Sequence, residues 1–343
     1  MNPKPEIAVI GAGWAGLAAA AYLAPHCRLT LFEAGKVAGG RARGVAHGEF
    51  AELDNGQHLL IGAYRAVFRL LRRVGESPDA LFLREPLHWH LADGFQFRCP
   101  QKLPAPLHLL WAVLRGKNAD WAQKTALLRQ MAALQRWHKR QPPDQSIASW
   151  LDEQRVGEEW RAQFWRPMVL GALNTPLETA SLHVLCHVLA DGVWASRNAG
   201  DFYIAKRNLS DTLAAPVLRY LAQHGAKYRP NCRIAQVQAA SGKVQADGQT
   251  FDAAVFAVAP YHLAPLLPEH LGDAVRQAVQ QLSYHAITTV YLRYPQPLHL
   301  PAALTGFAHR PTQWLLDRGR LQHPNEAAAI ISTSDLVAES SLH

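Results

Sequence analysis

Ile7-Ala8-Val9-Ile10-Gly11-Ala12-Gly13-Trp14-Ala15-Gly16-Leu17, continued by an alanine-rich run to Leu23 and by Leu29-Thr30-Leu31-Phe32-Glu33, decides the fold. The short apolar run Ile7–Ile10 reads as a buried parallel strand. Gly11, Gly13 and Gly16 follow at G-x-G-x-x-G spacing, Leu17–Leu23 is helical, and Leu29–Phe32 is a second strand. Each glycine has a physical task in such a unit. Gly11 makes the tight turn, Gly13 lets a pyrophosphate approach the backbone, and Gly16 lets the helix pack closely on the strand. The first N–H groups of the helix, around Trp14 and Ala15, favour a phosphate. Glu33, with Ala34 beside it, stands 20 residues after Gly13, where a carboxylate accepts hydrogen bonds from ribose hydroxyls. Strand, glycine turn, helix and distal acid agree on a dinucleotide. An acid at this position disfavours the 2′-phosphate of NADP and leaves FAD and NAD open.

The next segments point to FAD. Gly39-Gly40-Arg41 follows the ribose acid as a second loop suited to phosphate, with Arg41 able to pair with pyrophosphate charge. Leu53-Asp54-Asn55-Gly56-Gln57-His58 comes after it. Together these motifs resemble the two-dinucleotide-motif flavoproteins, the superfamily of flavin amine oxidases, protoporphyrinogen oxidase and phytoene desaturases. Four stretches narrow the resemblance to the hydroxysqualene dehydroxylase branch (squalene-associated FAD-dependent desaturases). They are Leu53–Tyr64, Phe164–Pro167, Ala172–Pro176 and Gln313–Arg320.

The resemblance implies an α/β fold. A Rossmann-like FAD-binding domain of the glutathione-reductase-like, amine oxidase type would be discontinuous over 1–85 and 201–265. An interleaved α+β substrate domain would take 86–200 and 266–343. It further implies that Gly56, Gln57 and His58, the backbone at Arg233–Ile234, and Ala259 at the end of an apolar strand contact the cofactor. The implied reaction removes the hydroxyl of hydroxysqualene reductively, giving squalene for hopanoid synthesis. Such a reaction needs an acid near the departing hydroxyl, and Asp54 and His58 are the candidates. Their bland roles are a turn cap and a structural histidine. The alternatives are a carotenoid-type desaturase, a flavin amine oxidase, and a non-enzymatic, FAD-incompetent partner subunit. The last arises because the superfamily carries a late Gly-Asp segment, and no such pair with a following helix stands after residue 273, so the sequence looks C-terminally truncated.

Composition bounds the rest. The chain has 343 residues, 49% hydrophobic and 18% charged, a globular composition of about two domains. Its net charge of +8 reads as modest and spread out, densest at Arg69, Arg72 and Arg73 and at Arg136, Lys139 and Arg140. No basic stripe with interleaved aromatics speaks for nucleic acid. Cysteines at 27, 99, 186 and 232 form no C-x-x-C pair, which argues against a structural metal or a thioredoxin motif. His183 and His187 sit at i, i+4 without a third ligand and read as structural. No signal peptide and no 18-residue apolar run are found, so the expected location is the cytoplasm, peripheral on the inner face of the membrane. The expected partners are a hydrophobic isoprenoid, a membrane surface and a reductant, a nicotinamide cofactor or another donor.

Local patterns complete the reading. Tyr64–Val74 is an amphipathic helix, and Leu87–Leu91 with Phe95–Phe97 flank an Asp93-Gly94 hairpin turn. Leu107–Leu114 and Asp120–Arg140 are a helical pair, either packed cap or monotopic membrane segment, with Leu103–Leu114 and its Trp111 the best membrane candidate. Trp160, Phe164, Trp165 and Met168 fit a plain core or the lining of an apolar tunnel. Later, Ser210–Gly225 is a helix, Arg233–Val237 a strand, and a meander follows before the buried strand Ala253–Pro260. Pro268–Gln281 reads as a helix, and Ala286–Tyr294, Gln313–Leu316 and Ala328–Ser332 as strands.

Overall fold

The apolar run near the N-terminus forms a strand, β1 (Glu6–Ile10), that lies between β2 (Arg28–Phe32) and the strand Ala253–Phe256, all parallel. Lys227–Arg229 adds to the far side of β2, completing a four-stranded parallel sheet in a computed structural model that describes residues 3–268 and 272–340. Ala8, Val9 and Leu31 are wholly buried, as the near-continuous apolar strands require. The helix α1 (Trp14–Leu23) buries Gly16, Leu17, Ala20 and Ala21. Small residues on that face bring the helix backbone close to the strands. A three-stranded antiparallel meander, Gln238–Ala240, Lys243–Ala246 and Gln249–Phe251, supplies Ala246 and Phe251 to a core shared with Ala8, Ile10 and Phe32. Phe251 meets Phe32 edge-on at 6.0 Å between ring centroids.

These elements belong to the first of two units, which comprises the chain up to His58, Arg65–Phe82 and Ala205–Tyr284. The second takes Leu59–Tyr64, Leu83–Ile204 and the chain from His285 onward. These crossings lie elsewhere than at the expected 85/86, 200/201 and 265/266. Leu266 stays with the first unit because it packs into that core and its carbonyl accepts the Val237 N–H at 3.0 Å. Leu60 and Ile61 join the second because they pair antiparallel with Tyr203 and Phe202.

Two strand expectations in the first unit need correction. Residues 233–237 form no strand. Their buried anchors, Ile234 and Val237, are three apart, which does not fit the period of two that a strand needs. Ala253–Phe256 is a strand but is only partly buried, since it is the edge of the sheet. The helix expected over 268–281 is Asp273–Gln280, and residues 269–271 lie outside the described residues.

The second unit holds a four-stranded antiparallel sheet in the order Ile287–Arg293, Glu326–Ser332, Trp314–Asp317, Leu304–Gly306. His88–His90 and Gln96–Arg98 make the expected hairpin. Helices Leu107–Leu114, Trp121–Arg140, Ile147–Glu153 and Leu182–Leu189 pack around an aromatic-rich core. Three of these helices are capped by a side chain at their start. Asp120 accepts the Gln123 N–H in a capping box, and Ser146 and Ser181 accept the N–H of Ser149 and Val184. Trp160, Phe164 and Trp165 lie in the buried cluster, with Met168 packed against it, so this aromatic run is core. The Trp165 indole donates to Gln130 at 3.2 Å inside it.

Candidate functional site

The residues singled out in the sequence converge in the first unit on two loops that face each other. The first is the turn Gly11–Gly13 between β1 and α1. The Gly11 N–H donates to Phe32 at 2.9 Å, and Gly11 has φ +101°, a conformation that favours glycine. The Ala257 N–H donates to Ile10 at 2.8 Å, which seats residues 257–259 beside this turn. Ala259 then starts the short helix Pro260–Leu263.

The two later glycines differ in kind. A Cβ at Gly16 would run into the Gly11 carbonyl oxygen and lie 3.1 Å from the Ala257 Cβ. Gly16 is therefore demanded by the packing of α1 on the sheet, as the spacing predicts. A Cβ at Gly13 would meet nothing closer than the Gly40 Cα at 3.9 Å, and its φ of −67° suits any residue. Nothing in the chain itself requires glycine at 13. The space is the kind of cradle a phosphate occupies, at a helix start with no side-chain cap.

The second loop is Ala38–Arg43. The Gly39 N–H donates to Ala12 at 2.8 Å, the Trp14 indole donates to Ala42 at 2.9 Å, and the Arg43 guanidinium donates to Gly40 at 2.9 Å. These bonds fix the loop against the start of α1. Glu33 joins both loops. One carboxylate oxygen accepts the Ala12 N–H at 2.9 Å and the other the Gly35 N–H at 2.7 Å. An ionised carboxylate has about four acceptor sites, so two remain for ribose hydroxyls. Arg233 and Ile234 follow alongside, since the Cys232 N–H donates to Glu33 at 2.8 Å and the Asn231 N–H to Gly35 at 2.9 Å. Arg233 is exposed and Ile234 is buried.

The segment Asp54–His58 lies against the second loop. The Asn55 N–H donates to Arg43 at 2.8 Å and its side-chain amide to Arg41 at 3.2 Å. Sequence reasoning missed Asn55 as the tether of Arg41. An Asn before a glycine turn is the signal that was available. The exposed Arg41 guanidinium makes no ion pair among the described residues, so its charge is open to an anion.

Both candidate acids have hydrogen-bond partners within the chain. Asp54 is buried, and one oxygen accepts the Leu209 N–H at 2.7 Å, which anchors the helical run after it. The His58 Nδ1–H donates to the Gly56 carbonyl at 2.7 Å, leaving Nε2 without its proton in the neutral ring. Burial holds His58 below the usual imidazole range and the Arg41 charge adds to that, against the opposing hydrogen bond. Among the described residues no cluster of three metal-ligating side chains exists. His183 donates from Nε2 to the Pro142 carbonyl at 2.7 Å.

Comparison with known proteins bears on the family and the fold. The family model described as flavin containing amine oxidoreductase matches residues 14–327. The 15-cis-phytoene desaturase of Arabidopsis thaliana is 28% identical over 290 residues, covering 78% of this chain and 50% of that protein. The hydroxysqualene dehydroxylase of Zymomonas mobilis is 26% identical over 235 residues, covering 67% of this chain and 54% of that protein. The chain thus spans about half the length of these relatives. Among solved structures, an oxidoreductase from Methanosarcina mazei superposes with a TM-score of 0.72 at 16% identity, covering 98% of this chain and 82% of that one. Cyclohexylamine oxidase from Brevibacterium oxydans superposes with a TM-score of 0.71 at 18% identity, covering 98% and 77%.

Proposed function

The chain belongs to the flavin-containing amine oxidoreductase family, and on that premise we propose that it is an FAD-dependent oxidoreductase acting on a long apolar isoprenoid. The reaction we propose is the reductive removal of a hydroxyl from hydroxysqualene. The observation that carries the cofactor assignment is the room beside Gly13, framed by an uncapped helix start and by Arg41, which makes no ion pair among the described residues. FAD, when bound, supplies the hydride chemistry. The chain's residues supply its seat. Gly13 and the first turn of α1 admit the pyrophosphate, Arg41 offers it charge, and Glu33 keeps two acceptor sites for the adenosine ribose.

The substrate class rests on the relatives, one named for phytoene desaturation and one for hydroxysqualene dehydroxylation. Carotenoid-type desaturation is the second reading, favoured by the wider coverage of the desaturase match. Two measurements test these readings in order. The absorbance spectrum of the purified chain, after incubation with FAD, reports cofactor binding. Product analysis with hydroxysqualene under reducing conditions, and with phytoene plus an electron acceptor, then separates the reactions. Squalene supports the first reading. A flavin-loaded chain that dehydrogenates phytoene and leaves hydroxysqualene intact overturns it.

A further inference from the structure

Apart from the buried His108, the helix Leu107–Leu114 is apolar all round. Its inner side buries His108, Ala112 and Val113, and Leu109 packs against the aromatic core. Its outer side is apolar too, with Leu107 50%, Leu110 41% and Trp111 50% exposed. Residues at i, i+3 and i+4 share one face, so these three form one stripe. Trp121, at the start of the next helix, is 66% exposed, the highest value among the exposed large hydrophobic residues. A helix with no polar face is normally buried in a core or in lipid, and this one is buried on one side only.

Charge surrounds this apolar stripe without entering it. The Arg115 guanidinium sits 5.4 Å over the Trp111 ring, and the Lys124 ammonium 5.6 Å over the Trp121 ring. Neither cation makes an ion pair among the described residues, and neither does Lys117. The one acid in residues 94–143, Asp120, is committed to its helix cap. The distribution along the chain is one-sided. Residues 94–143 hold nine Lys or Arg and a single Asp, which equals the net +8 of the whole chain. The charge that reads as dispersed is thus concentrated in this segment.

We propose that this face of the second unit docks on an anionic lipid bilayer. Exposed tryptophans belong at the headgroup level, leucines below it, and flanking Arg and Lys reach lipid phosphates. No helix among the described residues is long and apolar enough to cross a membrane, so the contact is with one surface. A second copy is a poor occupant, because it would bring like charge onto like charge.

The test uses the full chain and no turnover, so it stands or falls independently of the proposed reaction. The chain is sedimented with vesicles of phosphatidylcholine alone and with vesicles of phosphatidylcholine and phosphatidylglycerol. Binding is expected to the anionic vesicles and to weaken in high salt. The exposed pair W111S/W121S should abolish it. The charge reversal R115E/K124E should lower partitioning about 30-fold or more. V184S, at an exposed apolar position outside the stripe, should bind like the parent. Equal sedimentation of W111S/W121S, absent binding by the parent, or a dimer that W111S/W121S dissociates would each overturn the proposal.

Discussion

Two glycines three residues apart do different work, and substitution separates them. Gly13→Ala has room and an ordinary backbone conformation, so stability should change by less than about 0.5 kcal/mol while flavin binding is lost. Gly16→Ala forces a methyl into the Gly11 carbonyl and should cost about 1–3 kcal/mol or more. Thermal midpoint and flavin content, read together, check both. A stable Gly13→Ala variant that retains flavin would remove the phosphate role of that loop. Glu33 combines the two demands, since it holds two backbone N–H groups as well as the proposed ribose. Glu33→Ala should weaken flavin binding by about 1.5–3 kcal/mol, as for a charged hydrogen bond, and should lower the thermal midpoint as well. An unchanged midpoint would mean the two backbone contacts contribute nothing.

At the scale of elements, the hairpin His88–His90 with Gln96–Arg98 makes the chain acid-sensitive. Burial, with His90, Arg98 and Arg320 adding positive charge, pulls His88 from about 6.5 down to about 4. The unfolded chain therefore takes up this proton first as pH falls. The stability this neutral ring contributes is fully present above about 6.5, and it is lost between there and about 4. Denaturant titration across that window should show a steeper loss in the parent than in His88→Gln; identical slopes would refute it. The sequence made most elements legible where chemistry is local. The helices Leu107–Leu114 and Trp121–Arg140 and the Asp93-Gly94 hairpin stand where read. The cofactor loops were legible because glycine spacing and a distal acid are themselves local signals. Residues 233–237 were misread because tertiary anchors, Ile234 and Val237, outweighed β-propensity. The partner of Asp54 was illegible for the same reason, whereas that of His58, the Gly56 carbonyl, is local. Asp54 is held by Leu209, which is 155 residues away in sequence.

At the scale of the molecule, each unit carries an exposed sheet edge. In the second unit, Ile287–Arg293 is the edge of the sheet among the described residues, next to Glu326–Ser332, and shows Ile287 54% and Val290 41% exposed. A seven-residue β-branched edge without a central charge invites pairing between copies. Val290→Lys should therefore reduce concentration-dependent aggregation, read by light scattering, without lowering the thermal midpoint. Unchanged scattering would locate the association elsewhere. The concentration of charge in residues 94–143 has a further consequence. Elsewhere in the chain Lys and Arg balance Asp and Glu, so the whole net charge of the molecule is carried by this one segment of the second unit, its cationic pole. Near a negatively charged support it turns before it touches. Its retention on a cation exchanger then reports this one segment rather than the average surface, and chromatography alone becomes a sensor for anything that covers the pole.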